Sequence, residues 1–169
     1  MGLTTPEKIR TLQKKLYVKA KSEPEFRFYL LYDKVWRADI LEHAYRLCRA
    51  NGGAAGVDGI TFDHIEAAAG GLEAWLHELA AELREERYRP QAVRRVLIPK
   101  PDGGERPLGI PTVKDRVVQQ AAKLVLEPIF EPDFEPNAYG YRPRRGALDA
   151  VKEVQASILR GETVSSMPI

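Results

Sequence analysis

The sequence predicts an α+β fold that is mostly helical and carries one basic β-hairpin. Three observations predict it. Apolar residues recur every three or four positions along most of the chain, as one buried helix face requires. Between Tyr88 and Pro111 that period gives way to β-branched residues flanking Pro101-Asp-Gly-Gly104, a hairpin turn. Arg94, Arg95, Lys100 and Arg106 then gather on that hairpin.

Thr4-Thr-Pro-Glu7 reads as a helix start, with a hydroxyl cap, an early proline and a following glutamate. Ile9, Leu12 and Leu16 give that helix its inner face. A second amphipathic stretch is expected over Glu23–Val35, with Phe26, Tyr29 and Leu30 as its apolar positions. A third covers Arg37–Ala50, with Ile40, Leu41, Ala44, Leu47 and Cys48 inward, and Asn51-Gly52-Gly53 stops it. Gly56-Val-Asp-Gly59 is a turn, and Thr61–Ala69 a short helix. Leu72, Trp75, Leu76, Leu79 and Leu83 mark the next helix. After the hairpin, whose Pro107 marks an edge strand, Thr112-Val-Lys-Asp115 opens a helix through Leu126, and Pro128 is expected to break it. Phe130–Arg145 reads as a loop. Leu148, Val151, Val154 and Ile158 define a last helix ending at Gly161.

The chain of 169 residues fits one ordinary domain, or a smaller domain plus part of another. With 44% hydrophobic residues it can bury a core, which excludes a wholly disordered chain. No apolar run approaches the roughly 18 residues of a membrane span, and Met1–Lys8 lacks the apolar core of a signal peptide. No membrane partner is therefore expected. Cys48 stands alone, which excludes a disulfide framework and a cysteine-held zinc. The expected compartment is a reducing cytoplasm.

The net charge is only +2, but it is segregated. From Glu7 to Lys21, six cations (Lys8, Arg10, Lys14, Lys15, Lys19, Lys21) face Glu7 alone, a local +5. From Arg87 to Arg106, six face Asp102 and Glu105, a local +4. Clustered positive charge is the footprint of a phosphate binder, although two solvated faces would look the same. On the hairpin, Arg94 and Lys100 share strand parity, and Arg106 returns toward them across the turn. Three converging cations suit a triphosphate or a nucleic-acid backbone. The competing reading is a hairpin edge guarded by charge. Asn137-Ala-Tyr-Gly-Tyr-Arg-Pro-Arg-Arg-Gly146 interleaves aromatics with arginines, which suits stacked bases and phosphates. It also suits tyrosines that pack a loop. Asp58, Asp102, Asp115, Asp133 and Asp149 are scattered without an Asp-x-Asp pair, and His43, His64 and His77 lack ligand spacing. Neither a catalytic residue nor a metal site is expected within this chain.

Read together and in order, several segments resemble the N-terminal part of group II intron reverse transcriptase/maturases. They are Asn51-Gly-Gly-Ala-Ala-Gly-Val-Asp-Gly59, Tyr88-Arg-Pro90, Arg94-Arg-Val-Leu-Ile-Pro-Lys100, Arg106-Pro-Leu-Gly-Ile-Pro-Thr112, Asp115-Arg-Val-Val-Gln119, Leu126-Glu-Pro-Ile-Phe130 and Asn137-Ala-Tyr-Gly-Tyr-Arg-Pro143. The resemblance implies the fingers portion of a right-hand polymerase, truncated before the catalytic palm strands. It divides the chain into residues 1–87 (helical N-terminal extension and start of the fingers), 88–161 (fingers hairpin and first palm-bordering helices) and 162–169, a divergent tail. It implies nucleotide contacts at Arg94, Lys100 and Arg106. It implies RNA contacts at Asn137, Tyr139, Tyr141 and Arg142 and through the N-terminal extension, where the candidates are Lys8, Lys14, Lys15 and Lys19. Arg144 stands where the family usually has glycine, and adds a candidate phosphate contact. Intact members copy RNA into DNA with magnesium and assist their intron RNA. The expected partners are therefore intron or template RNA and, if a palm is supplied, a deoxynucleoside triphosphate. Self-association through the last helix is a further expectation. The alternatives are a non-catalytic RNA-binding module and an inert gene remnant.

Overall fold

The computed structural model describes residues 3–142 and 145–161. In chain order it contains α1 (Glu7–Ser22), α2 (Tyr32–Val35), α3 (Ala38–Asn51), α4 (Phe62–Ala67) and α5 (Gly71–Arg84). Strands β1 (Arg94–Pro99) and β2 (Glu105–Ile110) follow, then α6 (Val113–Phe130), a 3₁₀ turn (Glu131–Asp133) and α7 (Ala147–Leu159). Helices with one small antiparallel sheet make this an α+β chain, as the periodicities predict.

Helix α6 is the axis of the fold, with α1 and α3 packed along it. Its Val117, Ala121 and Val125 share a fully buried core with Ile9, Ile40, Leu41 and Ala44. Fully burying an aliphatic side chain of this size stabilises by about 1.5–3 kcal/mol. Helix α5 packs on α3 and α4, where Tyr45 stands edge-on to Phe62 and donates to the Glu66 carboxylate at 2.9 Å.

Three expectations are corrected. Only Tyr32–Val35 is helical within the Glu23–Val35 stretch, and Tyr29 and Leu30 are exposed. The core takes Val35, with Phe28 and Leu31 packed against it. Six of the seven residues from Phe26 to Tyr32 are apolar or aromatic, so the run carries no phase to read. At the start of α1 the cap position is Pro6, and no side chain caps the helix.

Pro128 does not end α6, which runs on to Phe130. Proline lacks an N–H and so frees the carbonyl four residues earlier, that of Leu124. Gln13 of α1 donates its side-chain amide to this carbonyl at 3.0 Å. The break is thereby turned into an α1–α6 contact. Gln13→Leu is expected to cost about 1–2 kcal/mol by leaving that carbonyl unpaired, as read from a urea unfolding curve.

Candidate nucleic-acid interface

The hairpin register is Arg94↔Ile110, Val96↔Leu108, Ile98↔Arg106 and Pro99↔Glu105. Directly opposed residues point to one side of a sheet, so Arg106 shares the face of Arg94, Val96 and Ile98. Lys100 continues that parity into the turn. The turn closes through Lys100 N–H to the Gly104 carbonyl at 2.7 Å, and Gly103 takes φ +82°. Asp102 accepts from Gly104 N–H at 3.1 Å, the turn role its position suggests. Lys100 and Arg106 are exposed, and among the described residues their side chains have no acidic or hydrogen-bond partner. Arg94 spends its Nε on the Ala55 carbonyl at 3.0 Å, which leaves its two Nη groups for another acceptor.

Two strands alone would hold such a hairpin loosely. Its root is pinned by Asp115, which is buried at the start of α6. One Asp115 oxygen accepts from the Tyr88 hydroxyl at 2.5 Å. The other accepts from the Thr112 hydroxyl at 2.8 Å and Gln91 N–H at 3.3 Å. The Asp115 N–H donates back to Thr112 at 3.0 Å, closing the helix cap. Burial, and then the bond to Asp115, hold the Tyr88 hydroxyl above the usual tyrosine range, so it stays a donor near neutral pH.

On α1, Lys8, Lys14 and Lys15 are exposed and lack acidic partners among the described residues. Lys19 differs: it pairs with Glu23 at 2.6 Å and lies 4.1 Å over the Phe26 ring. In the loop after α6, Asn137 and Tyr141 are exposed, the latter fully, with φ +57°. Tyr139 donates to the Glu153 carboxylate of α7, an acceptor that, ahead of burial, raises its hydroxyl's pKa. Arg145 stacks 5.3 Å over the Tyr139 ring. The Arg142 side chain is only 8% exposed and is spent on the loop itself. It pairs with Glu131 at 2.8 Å and donates to the Glu135 and Ala138 carbonyls at 2.7 and 3.0 Å. Arg144 and residues 162–169 lie outside the described residues.

Sequence reasoning missed two groups. Arg116 clasps the Gly52–Gly56 loop, a role no local pattern announces because its acceptors are carbonyls about 60 positions away. Tyr88 and Asp115 sit 27 positions apart and meet only in space. The last helix is as the sequence suggests: Leu148, Val151, Val154 and Ile158 form an apolar stripe, each more than half exposed.

Among the described residues no group of three or more His, Cys, Asp or Glu side chains is placed to hold a metal ion, and Asp115 has both oxygens engaged within the protein. No helix among them is long and apolar enough to cross a membrane.

The chain is 37% identical over 158 residues to Protein YkfC of Escherichia coli K12, covering 92% of this chain and 41% of that protein. It is 38% identical over 129 residues to the group II intron-encoded protein LtrA of Lactococcus lactis subsp. cremoris, covering 76% of this chain and 21% of that one. An uncharacterised 91 kDa protein in the cob intron of Schizosaccharomyces pombe is 33% identical over 98 residues. No family model matches the chain. The chain belongs to the group II intron-encoded reverse transcriptase/maturase family and corresponds to an N-terminal part of such a protein. It spans about two-fifths of the Escherichia coli relative and one-fifth of the Lactococcus one.

Proposed function

We propose that this chain is the fingers portion of a reverse transcriptase, with one face for a nucleoside triphosphate and another for RNA. The carrying observation is the hairpin register, which gives Arg94 and Arg106 one face while Lys100 continues the same parity, the last two unpaired among the described residues. In this reading the three cations hold the triphosphate of an incoming deoxynucleotide. Lys8, Lys14 and Lys15 of α1, with Asn137 and Tyr141, contact RNA; Lys19, Tyr139 and Arg142 shape those surfaces. The catalytic aspartates and their magnesium belong to polymerase segments beyond these residues, since the 169 residues contain neither Asp-x-Asp nor Tyr-Ala-Asp-Asp. The apolar stripe of α7 suits a packing partner, and a second copy would use it in the isolated chain.

A deoxynucleoside triphosphate titrated into the chain at low salt is expected to shift the amide signals of Gly103 and Gly104. Lys100→Ala with Arg106→Ala should abolish that shift and change RNA affinity little. Primer extension on an RNA template with magnesium should remain at the level of a mock purification. Extension by this chain, or hairpin signals indifferent to nucleotide, would contradict the assignment.

A second reading, an RNA-binding module without nucleotide, is favoured by Lys8, Lys14 and Lys15 of α1, which are unpaired among the described residues. The same titration separates the two.

A further inference from the structure

The Gly52–Gly56 loop is gripped from both sides. Arg116, one turn into α6, donates to the Gly52 carbonyl at 3.2 Å and to the Ala54 carbonyl at 2.9 Å. Arg94, the first residue of β1, donates to the Ala55 carbonyl at 3.0 Å. The loop backbone is shaped for this contact. Gly53 takes φ +108°, and a Cβ there would lie 2.8 Å from the Arg116 guanidinium. Gly56 is buried, and its Cβ would lie 2.6 Å from Thr112 Cα. The Arg116 guanidinium also lies 5.4 Å over the ring of Phe62, at the start of α4. Arg94 therefore rests on the carbonyl next to one that another arginine holds.

We propose that Arg116 is a positioning residue for the cationic hairpin face: through the Gly52–Gly56 loop it aims the Arg94 guanidinium to the side of Lys100 and Arg106. This rests on the reading that this face takes a polyphosphate, and it adds how the face is kept in order. Arg116 uses a fork that only a guanidinium provides, since two carbonyls are held at once. A lysine would keep the charge and lose the second bond. Arg116 gives one N–H from each Nη to the loop, its buried Nε has no partner among the described residues, and it acts through Arg94.

The test is a double-substitution cycle on the full chain. The probe is sodium tripolyphosphate, and the readout is the amide shift of Gly103 and Gly104, which reports the hairpin and not α1. Arg116→Ala is expected to weaken tripolyphosphate binding about three- to tenfold in the unsubstituted chain and less than about twofold when Arg94 is already alanine, since neighbours that act as a unit are non-additive. Arg116→Lys should show the same pattern and carries the test if Arg116→Ala does not fold. Equal losses in both backgrounds would mean general loosening or direct contact, and would overturn the positioning role while leaving the nucleotide reading intact. No response of Gly103 and Gly104 to tripolyphosphate in the unsubstituted chain would overturn both.

Discussion

Asp115→Ala is expected to destabilise the fold by about 2–4 kcal/mol, a large effect for one side chain. The aspartate is 2% exposed and accepts from the Tyr88 hydroxyl, the Thr112 hydroxyl and the Gln91 N–H. Alanine removes the acceptor shared by the buried Thr112, the half-buried Tyr88 and the exposed Gln91. The unpaired donors dominate the cost, since removing the aspartate also relieves the burial of a polar group. An asparagine side chain would keep one accepting oxygen and set an NH₂ against a donor, so Asp115→Asn should cost less, about 1–2 kcal/mol. Tyr88→Phe deletes one bond and should fall near ~1 kcal/mol, the ordinary value of a single hydrogen bond. Urea unfolding curves at neutral pH measure all three, and an Asp115→Ala midpoint indistinguishable from the parent would contradict this role. The functional consequence lies at the hairpin. Tyr88 and Gln91 lead into β1, so losing Asp115 should broaden the Gly103 and Gly104 amide signals even where the helices stay folded.

RNA binding should fall steeply with salt. Four to six phosphate contacts give a slope of log K against log salt of roughly −3 to −5, because each neutralised phosphate releases counterions. Between about 50 and 200 mM salt that slope amounts to a loss of about 60-fold to 1,000-fold. Lys14→Ala with Lys15→Ala should flatten the slope by about 1.5–2 and weaken binding to unrelated RNAs alike, since phosphate contacts carry no sequence information. Lys19→Ala should matter less, because its ammonium is already paired with Glu23. Filter-binding titrations at several salt concentrations read each of these, and a flat response would reduce the α1 face to solvated charge.

Helices α1, α3 and α5 were legible because each buries one face in the shared core. Ile9 and Leu16 in α1 and Ile40, Leu41, Ala44 and Cys48 in α3 lie where the spacing puts them. The hairpin was legible in both strands and turn, since Pro101-Asp-Gly-Gly104 sets the register and the register sets which cations share a face. What failed had a tertiary cause. The run from Phe26 to Tyr32 is too uniformly apolar to show which residues turn inward, and the core decided for Phe28, Leu31 and Val35. Pro128 reads as a breaker until Gln13, far away in sequence on α1, supplies the donor that its freed carbonyl needs. At the candidate site, charge and spacing marked Lys100 and Arg106. They could not show that Arg142 turns inward to brace its own loop, nor that Arg116 and Asp115 hold the hairpin's root.

In the proposed function RNA lies along α1 and the Asn137–Tyr141 loop. Photo-crosslinking the full chain to a single-stranded RNA carrying 4-thiouridine, with the adducts mapped by mass spectrometry, tests it most directly. Adducts are expected within residues 7–22 and 137–141. Adducts confined to the groove between α3 and α5, beside Glu42 and Glu73, would contradict it.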